Sequence, residues 1–331
     1  MTSTWAPSAR PVAFVGLSCR DHVWRVDRFP PTASRTQASA YRADGGGPAA
    51  TAAAAAARLG ACARLWAIHG DDEDGRALVA DLARAGVDLR GCRTPEGSRS
   101  FVSAVLVDPS GERYIFPYRG AALADEPAAH DWSGLEGVGA VLVDGRHAAL
   151  ATYAVGWAAR HGVPSVGDWG DLRWPDLRAR IDHLVAAEEA GVGALRATGH
   201  ARAGTDDPID RAVRAAAALR DRPDQLVAVT LGPRGCVWDD GEDVWWQAAP
   251  EVTAVETNGA GDAFHGAYAA AIAADWSTSE AVRLATAVGA LKCTGEGRAA
   301  LPDLPTATTM AAALPAPVPL GRSSARSGGP A

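Results

Sequence analysis

The sequence predicts an α/β fold: a central, mostly parallel sheet flanked by helices on both faces, with a small second β-sheet packed over one end as a lid. Three observations lead there. After Ala121, short apolar strands alternate with helical stretches, the rhythm of a parallel sheet covered on both sides. Near Val23–Ala43 and Phe101–Tyr118 lie strands of alternating polarity that do not fit this rhythm and belong to a separate sheet. The 331 residues are 47% hydrophobic and 21% charged, which is ordinary globular usage and supplies a sizeable core.

Taken in order, Val12–Leu17 is a short apolar strand, and Val23–Phe29 and Thr36–Ala43 are alternating strands. Pro48 to Leu59 reads as a helix with proline in its first turn, Ala63–Ile68 as a strand, and Asp74 to Gly86 as a helix closed by its glycine. Phe101–Asp108 and Arg113–Tyr118 form a hairpin around Pro109-Ser110-Gly111. Then come strand Ala140–Val143, helix His147–His161 and strands Pro164–Asp168 and Val192–Leu195. A helix over Asp207–Leu219 precedes strand Gln225–Leu231, and the hairpin Cys236–Trp238/Val244–Gln247 turns at Asp240-Gly241. Helices over Ala260–Ala274 and Ser279–Leu291 complete the pattern. Residues 1–10 and the Pro-, Ala-, Ser- and Gly-rich segment 305–331 are expected to be flexible tails.

Charge and rare residues exclude several functions. Lys+Arg number 32 against 39 Asp+Glu, a net charge of −7, so no dense cationic footprint for nucleic acid is present. Lys292 is the only lysine and is followed by Cys293, which rules out the Gly-Lys-Ser/Thr of a P-loop. The five cysteines are widely spaced with no CxxC pair, arguing against a zinc site or a disulfide framework. With no apolar leader at the start and no uncharged membrane-length run, the expectation is a reduced, cytoplasmic protein that binds no membrane.

The richest segment is Glu256-Thr257-Asn258-Gly259-Ala260-Gly261-Asp262, which runs straight into an alanine-rich helix. Small residues at a helix start expose backbone N–H groups, and with the helix dipole they make an anion site. Asp262 in the first turn is either an ordinary helix-starting charge or a carboxylate placed to take a proton beside that anion. Gly45-Gly46-Gly47-Pro48 opens another helix, and Thr230-Leu231-Gly232-Pro233-Arg234-Gly235 follows a strand end, where open sheets bind ligands.

Together, Gly45–Ala61 with Arg58-Leu59-Gly60 and Gly70-Asp71-Asp72, and Glu256–Asp262, resemble the two signatures of the PfkB (ribokinase-like) carbohydrate kinases, in the right order and spacing. The resemblance runs from about Val12 to Asp303 and implies a kinase domain over 11–304, with lid strands near 20–44 and 101–120. It implies that Asp262 is the catalytic base and that the amides of Gly259, Ala260, Gly261 and Asp262 form the anion hole. Asp21, Gly46 and Gly47 would hold the sugar; Thr230, Gly232, Gly235, Lys292 and Gly297 would face the nucleotide. For Lys292 a cation at a helix C-terminus is an equal alternative. Glu256 and Asn258 fall where some members bind a monovalent cation. The implied cofactors are ATP and Mg²⁺, with K⁺ as a third candidate, and the implied assembly is a homodimer through the lid.

Where ribokinase-type members place Lys and Asn, this chain has Gly47 and Ala50. Its Gly-Gly-Gly-Pro-Ala-Ala-Thr and Ala-Leu-Lys-Cys-Thr segments are closer to sulfofructose kinases. An anionic ketose such as 6-deoxy-6-sulfofructose then becomes a candidate acceptor, with Arg35 and Arg146 as candidate oxyanion contacts. A nucleoside kinase with Trp24 in a base pocket, or a binding protein without turnover, are the alternatives. The family's Asn-x-x-Glu element, expected near Val192–Leu195, is not spelled there, where Arg196-Ala197-Thr198-Gly199-His200 follows.

Overall fold

All four residues of β1 (Val12–Val15) are fully buried, as befits a strand with helices on both faces. The computed structural model describes residues 10–27, 36–109, 113–121, 123–169, 174–199 and 207–323. After β1 come β2 (Cys19–Arg25), β3 (Ala40–Gly46), α1 (Pro48–Arg58), β4 (Ala63–Trp66), α2 (Glu73–Arg84), β5 (Val102–Val107) and β6 (Arg113–Tyr118). The regular half follows: β7 (Ala140–Val143), α3 (Ala148–His161), β8 (Ser165–Trp169), α4 (Pro175–Arg178), β9 (His183–Ala187), α5 (Glu188–Ala197), α6 (Pro208–Leu219) and β10 (Leu226–Thr230). Last come β11 (Cys236–Asp239), β12 (Asp243–Gln247), α7 (Ala260–Ala273), α8 (Thr278–Lys292), α9 (Leu304–Ala313) and β13 (Val318–Arg322).

Among the described residues, nine strands form the large sheet in the order β13-β12-β11-β10-β9-β8-β7-β1-β4. The run from β10 to β4 is parallel, and β10 through β13 continue it antiparallel. The second sheet is β3-β2-β5-β6 and is mixed, since β2 and β5 pair in parallel. The expected hairpin 101–108/113–118 is found as β5 and β6, whereas the first two strands are shifted: β2 covers 19–25 rather than 23–29, which places Asp21 within it, and β3 covers 40–46 rather than 36–43.

Helix α1 buries every residue from Ala49 to Ala56. A buried methylene contributes only about 0.8 kcal/mol, so a wall of methyl groups stabilises chiefly through close approach. Gly266 of α7 provides that approach: a Cβ there would lie 2.2 Å from the Ala52 carbonyl oxygen of α1. The two helices that begin at glycine turns are thereby held backbone to backbone.

Two expectations are corrected. Val192–Leu195 is not a strand but part of α5, whose buried residues Ala190, Gly191, Ala194 and Leu195 recur at helical spacing. The strand in that place is β9. Segment 305–331 is not simply a tail. Asp303 caps α9 by accepting from the Thr306 N–H, with Pro305 in the first turn. Then β13 pairs with β12 at the sheet edge, where Pro319 can be tolerated because only one side of the strand is paired. Residues 324–331, and 1–9 of the expected N-terminal tail, lie outside the described residues.

Candidate active site

Open α/β sheets bind ligands at the carboxyl ends of their parallel strands, and here those ends carry Asp144 just after β7, Asp168 in β8, Glu188 just after β9 and Thr230 in β10. Helix α7 starts above them at Gly259, which has φ 74°, and no side chain caps it. Ala260 N–H donates to the Thr257 oxygen at 3.3 Å and Ala263 N–H to the Gly259 oxygen at 2.9 Å, leaving the Gly261 and Asp262 N–H groups pointing out of the helix end. Gly261 is exposed, and a Cβ on it would meet nothing within 4 Å. This helix end is open.

Burial pushes the Asp262 carboxyl up to about 7; Asp168 and Asp144 add to the rise, while His265 and Arg298 oppose it. His265, one turn along, donates from Nδ1 to the Gly261 carbonyl at 2.7 Å and sets Nε2 3.5 Å from Asp168 Oδ1. A carboxylate that is a weak acid, beside unmatched amides, has the proton affinity expected of a general base working near neutral pH.

A second group of side chains gathers at β2 and β3. Asp21 accepts from Cys19 Sγ at 3.5 Å and from the Ser103 hydroxyl, and its carboxylate rests on Gly46, where a Cβ would lie 2.2 Å from Oδ2. Burial raises its pKa, with the two hydrogen bonds opposing. On the other side of the strand end, Arg298 lies against Gly45, whose Cβ would fall 2.4 Å from Nη1. Its Nη2 donates to the Gly46 carbonyl at 2.9 Å and to Thr51 Oγ1 at 3.2 Å. Nη1 is buried without a hydrogen-bond partner, and the guanidinium acts electrostatically on Asp21, Asp262 and Cys19 alike. Behind it, a cavity of about 370 Å³ is walled by Asp44, Arg58, Asp81 and Arg84. Gly47, with φ 91°, caps α1.

On the other side of the cleft, Thr230 closes β10 opposite Ala187, and its hydroxyl donates to the Ala186 carbonyl at 3.4 Å. Gly232 and Gly235 both have positive φ; a Cβ on Gly235 would lie 1.9 Å from the Gln247 oxygen, so only glycine fits there. Arg234 of this loop pairs with Glu188, which also accepts from Arg211 at 2.5 Å. Lys292 does not line an open nucleotide groove: it is 1% exposed, beneath Gly259. Gly297 donates its N–H to Glu256 Oε2 at 2.9 Å and lies against Asp44. Asn258 occupies the turn before Gly259.

Arg146 is exposed just beyond β7, with its N–H held by Asp144 Oδ1 at 2.9 Å; Arg35 lies outside the described residues. Sequence reading missed Asp144, which is buried and also accepts from Leu17 N–H at 2.8 Å and Ala49 N–H at 3.1 Å. An acid directly after an apolar strand was its signal. It also missed Arg298, hidden among many arginines, and Glu188, because β9 had been placed too late. The place after β9 reads Ala187-Glu188-Glu189, with acids but no asparagine.

A family model described as "pfkB family carbohydrate kinase" matches residues 9–307. An ATP-dependent ribose-1-phosphate kinase of Halopiger xanaduensis is 30% identical over 298 residues, covering 89% of this chain and 94% of that protein. Fructokinase-1 of Oryza sativa is 30% identical over 303 residues, covering 85% and 92%. Among solved structures, an Agrobacterium tumefaciens protein assigned as a ribokinase superposes with TM-score 0.80 at 32% identity, covering 92% of this chain and 98% of that one. Arabidopsis thaliana ribokinase with ribose and ATP shares the fold at TM-score 0.78 and 24% identity, with 92% and 99% covered. With both signatures in place, an open amide end at α7 and these likenesses along nearly its whole length, the chain belongs to the PfkB family of carbohydrate kinases.

Proposed function

We propose that this kinase transfers the γ-phosphoryl group of ATP to a primary hydroxyl of a ketose or a related small sugar. The observation that carries the reading is the pairing of the unmatched Gly261 and Asp262 N–H groups with the Asp262 carboxyl, whose pKa burial brings to about 7. Asp262 takes the hydroxyl proton as the sugar oxygen bonds to the γ-phosphorus; the bond to the β-phosphate oxygen breaks and ADP leaves. The two amides bear charge on the migrating group. Mg²⁺ carried on the triphosphate would offset phosphate charge.

Asp21 and the Gly46 backbone orient the acceptor, and the small sheet closes over it to exclude water. Arg146, exposed beyond β7, favours an acceptor with an anionic group at its far end, so 6-deoxy-6-sulfofructose belongs on the test panel beside fructose, ribose 1-phosphate and adenosine. For a nucleoside, Trp24 was the expected base contact. Successive strand residues face opposite ways, so Trp24 lies on the face of β2 away from Asp21, its ring tilted against that of Tyr41 at a centroid distance of 5.3 Å. Tyr41, Phe116 and Tyr118 are more than half exposed on one face of the small sheet, which supports pairing of two copies there. Phe116→Glu would then convert a dimer to a monomer in sedimentation.

The decisive experiment follows phosphorylated product by NMR across that panel. Product with at least one sugar, lost in Asp262→Asn, is expected. No transfer to any acceptor, with ATP consumption unchanged by Asp262→Asn, would overturn the reading.

A further inference from the structure

Every basic residue outside the histidines is arginine except at position 292. Lys292 ends α8 and is 1% exposed, and its Nζ has no hydrogen-bond partner. Its Cε lies 3.9 Å from where a Gly259 Cβ would stand, so the side chain runs directly beneath the turn that opens α7. Burial lowers its pKa; Glu256 is the first of the charges that oppose this, and Arg42 and Asp44 also face it.

This is where the sequence led us to expect a bound monovalent cation beside Glu256 and Asn258, and the oxygens of Glu256 and of the adjacent Cys293 carbonyl are already engaged. Glu256 Oε1 accepts from Arg42 at 2.6 Å and Oε2 from the Gly297 N–H at 2.9 Å. The neighbouring Cys293 carbonyl accepts from the N–H groups of Val255 at 2.7 Å and Glu256 at 3.2 Å. Oxygens already turned toward donors make poor ligands for an added ion, whereas a compact ammonium brings its own charge on a thin stem. A planar guanidinium in the same slot would need more room and partners for five N–H groups.

We propose that the Lys292 ammonium is a built-in monovalent cation, holding the charge beneath the anion-binding turn that a diffusible ion would otherwise supply. For its kinetic test the proposal rests on the phosphoryl-transfer reading; a thermal test does not.

Phosphoryl transfer by the full chain is measured at equal ionic strength in potassium, sodium, ammonium and choline chloride. The wild type should be indifferent to the cation. Lys292→Ala should lose about tenfold or more in choline, by analogy with loss of one charge-stabilising group, and recover with potassium or ammonium. Lys292→Met, which keeps the stem and fills the slot, should lose activity without recovery. In melting experiments, potassium should raise the midpoint of Lys292→Ala over that in choline and leave the wild type unmoved. Strong activation of the wild type by potassium, full activity of Lys292→Ala in choline, or a loss in Lys292→Ala that no cation restores would each overturn the proposal. Should no sugar be phosphorylated, the kinase reading fails, and the melting experiment still decides whether a cation replaces the lysine.

Discussion

The two glycine turns that open α1 and α7 look alike in sequence and are opposites in structure. At α1, Pro48 has no N–H, Ala49 donates to Asp144, Ala50 to the Leu17 oxygen at 3.3 Å and Thr51 to the Gly47 oxygen at 2.9 Å. Every first-turn amide is matched within the protein. At α7, Gly261 and Asp262 keep theirs free and Gly261 faces open space. Among the described residues one turn has its amides matched and the other leaves two open, and the glycines serve different ends: at Gly47 the backbone needs φ 91° and close contact with Leu17, while at Gly261 a Cβ would meet nothing within 4 Å. Glycine richness alone therefore does not locate the chemistry; unmatched donors do.

The contrast can be broken most sharply at its two acids. Asp262→Asn should lower kcat by about a thousandfold in a coupled ATP assay, as removal of a general base does, with an unchanged circular dichroism spectrum. Its stability should move the other way. The carboxyl titrates near 7 in the folded chain against 3.8 unfolded, so between those pH values the folded state holds the extra proton and loses stability as pH rises. Asp262→Asn should accordingly melt higher than the wild type at pH 8, and the gap should close near pH 4. The same titration predicts that kcat/KM of the wild type climbs through a pKa near 7.

Asp144→Ala should instead be a stability variant. It strands the N–H groups of Leu17, Ala49 and Arg146, costing about 3 kcal/mol by denaturant titration. Next in size is Gly47→Ala, whose Cβ would lie 2.4 Å from the Leu17 oxygen at positive φ, costing roughly 2 kcal/mol. Gly261→Ala, at the open turn, should change stability by less than about 0.5 kcal/mol while raising the KM for ATP. If Gly47→Ala and Gly261→Ala proved equally costly to folding, the distinction between the matched and the open turn would fail.

Much of this was legible from residue types. The buried strands announce themselves as apolar runs, and the α7 turn as small residues leading into an alanine-rich helix. Lys292 stood out because it is the only one of its kind, although its burial did not. Other features depend on distant partners and left no local mark. Arg298 reaches Gly46 and Thr51 from some 250 positions away, in a chain where arginine is common. The edge strand β13 contains Pro319 and Gly321, which read as tail until β12 supplies hydrogen bonds. The short β9 was obscured because Val192–Leu195, inside an amphipathic helix, offered a plausible four-residue strand.

The near-contact of Gly266 with Ala52 has a bearing on how such an enzyme changes its diet. With α1 and α7 seated main chain on main chain, the spacing between Asp262 and the Gly45-Gly46-Gly47 turn is set when the protein folds and leaves little play. A longer or bulkier acceptor has to be accommodated elsewhere. The small sheet offers contacts that are easier to change: besides the main-chain join of β3 to α1, its strands β2 and β3 meet the rest of the molecule through side-chain ion pairs such as Arg25 with Glu296 and Arg42 with Glu256. Such contacts can be redrawn one residue at a time while the catalytic frame stays put.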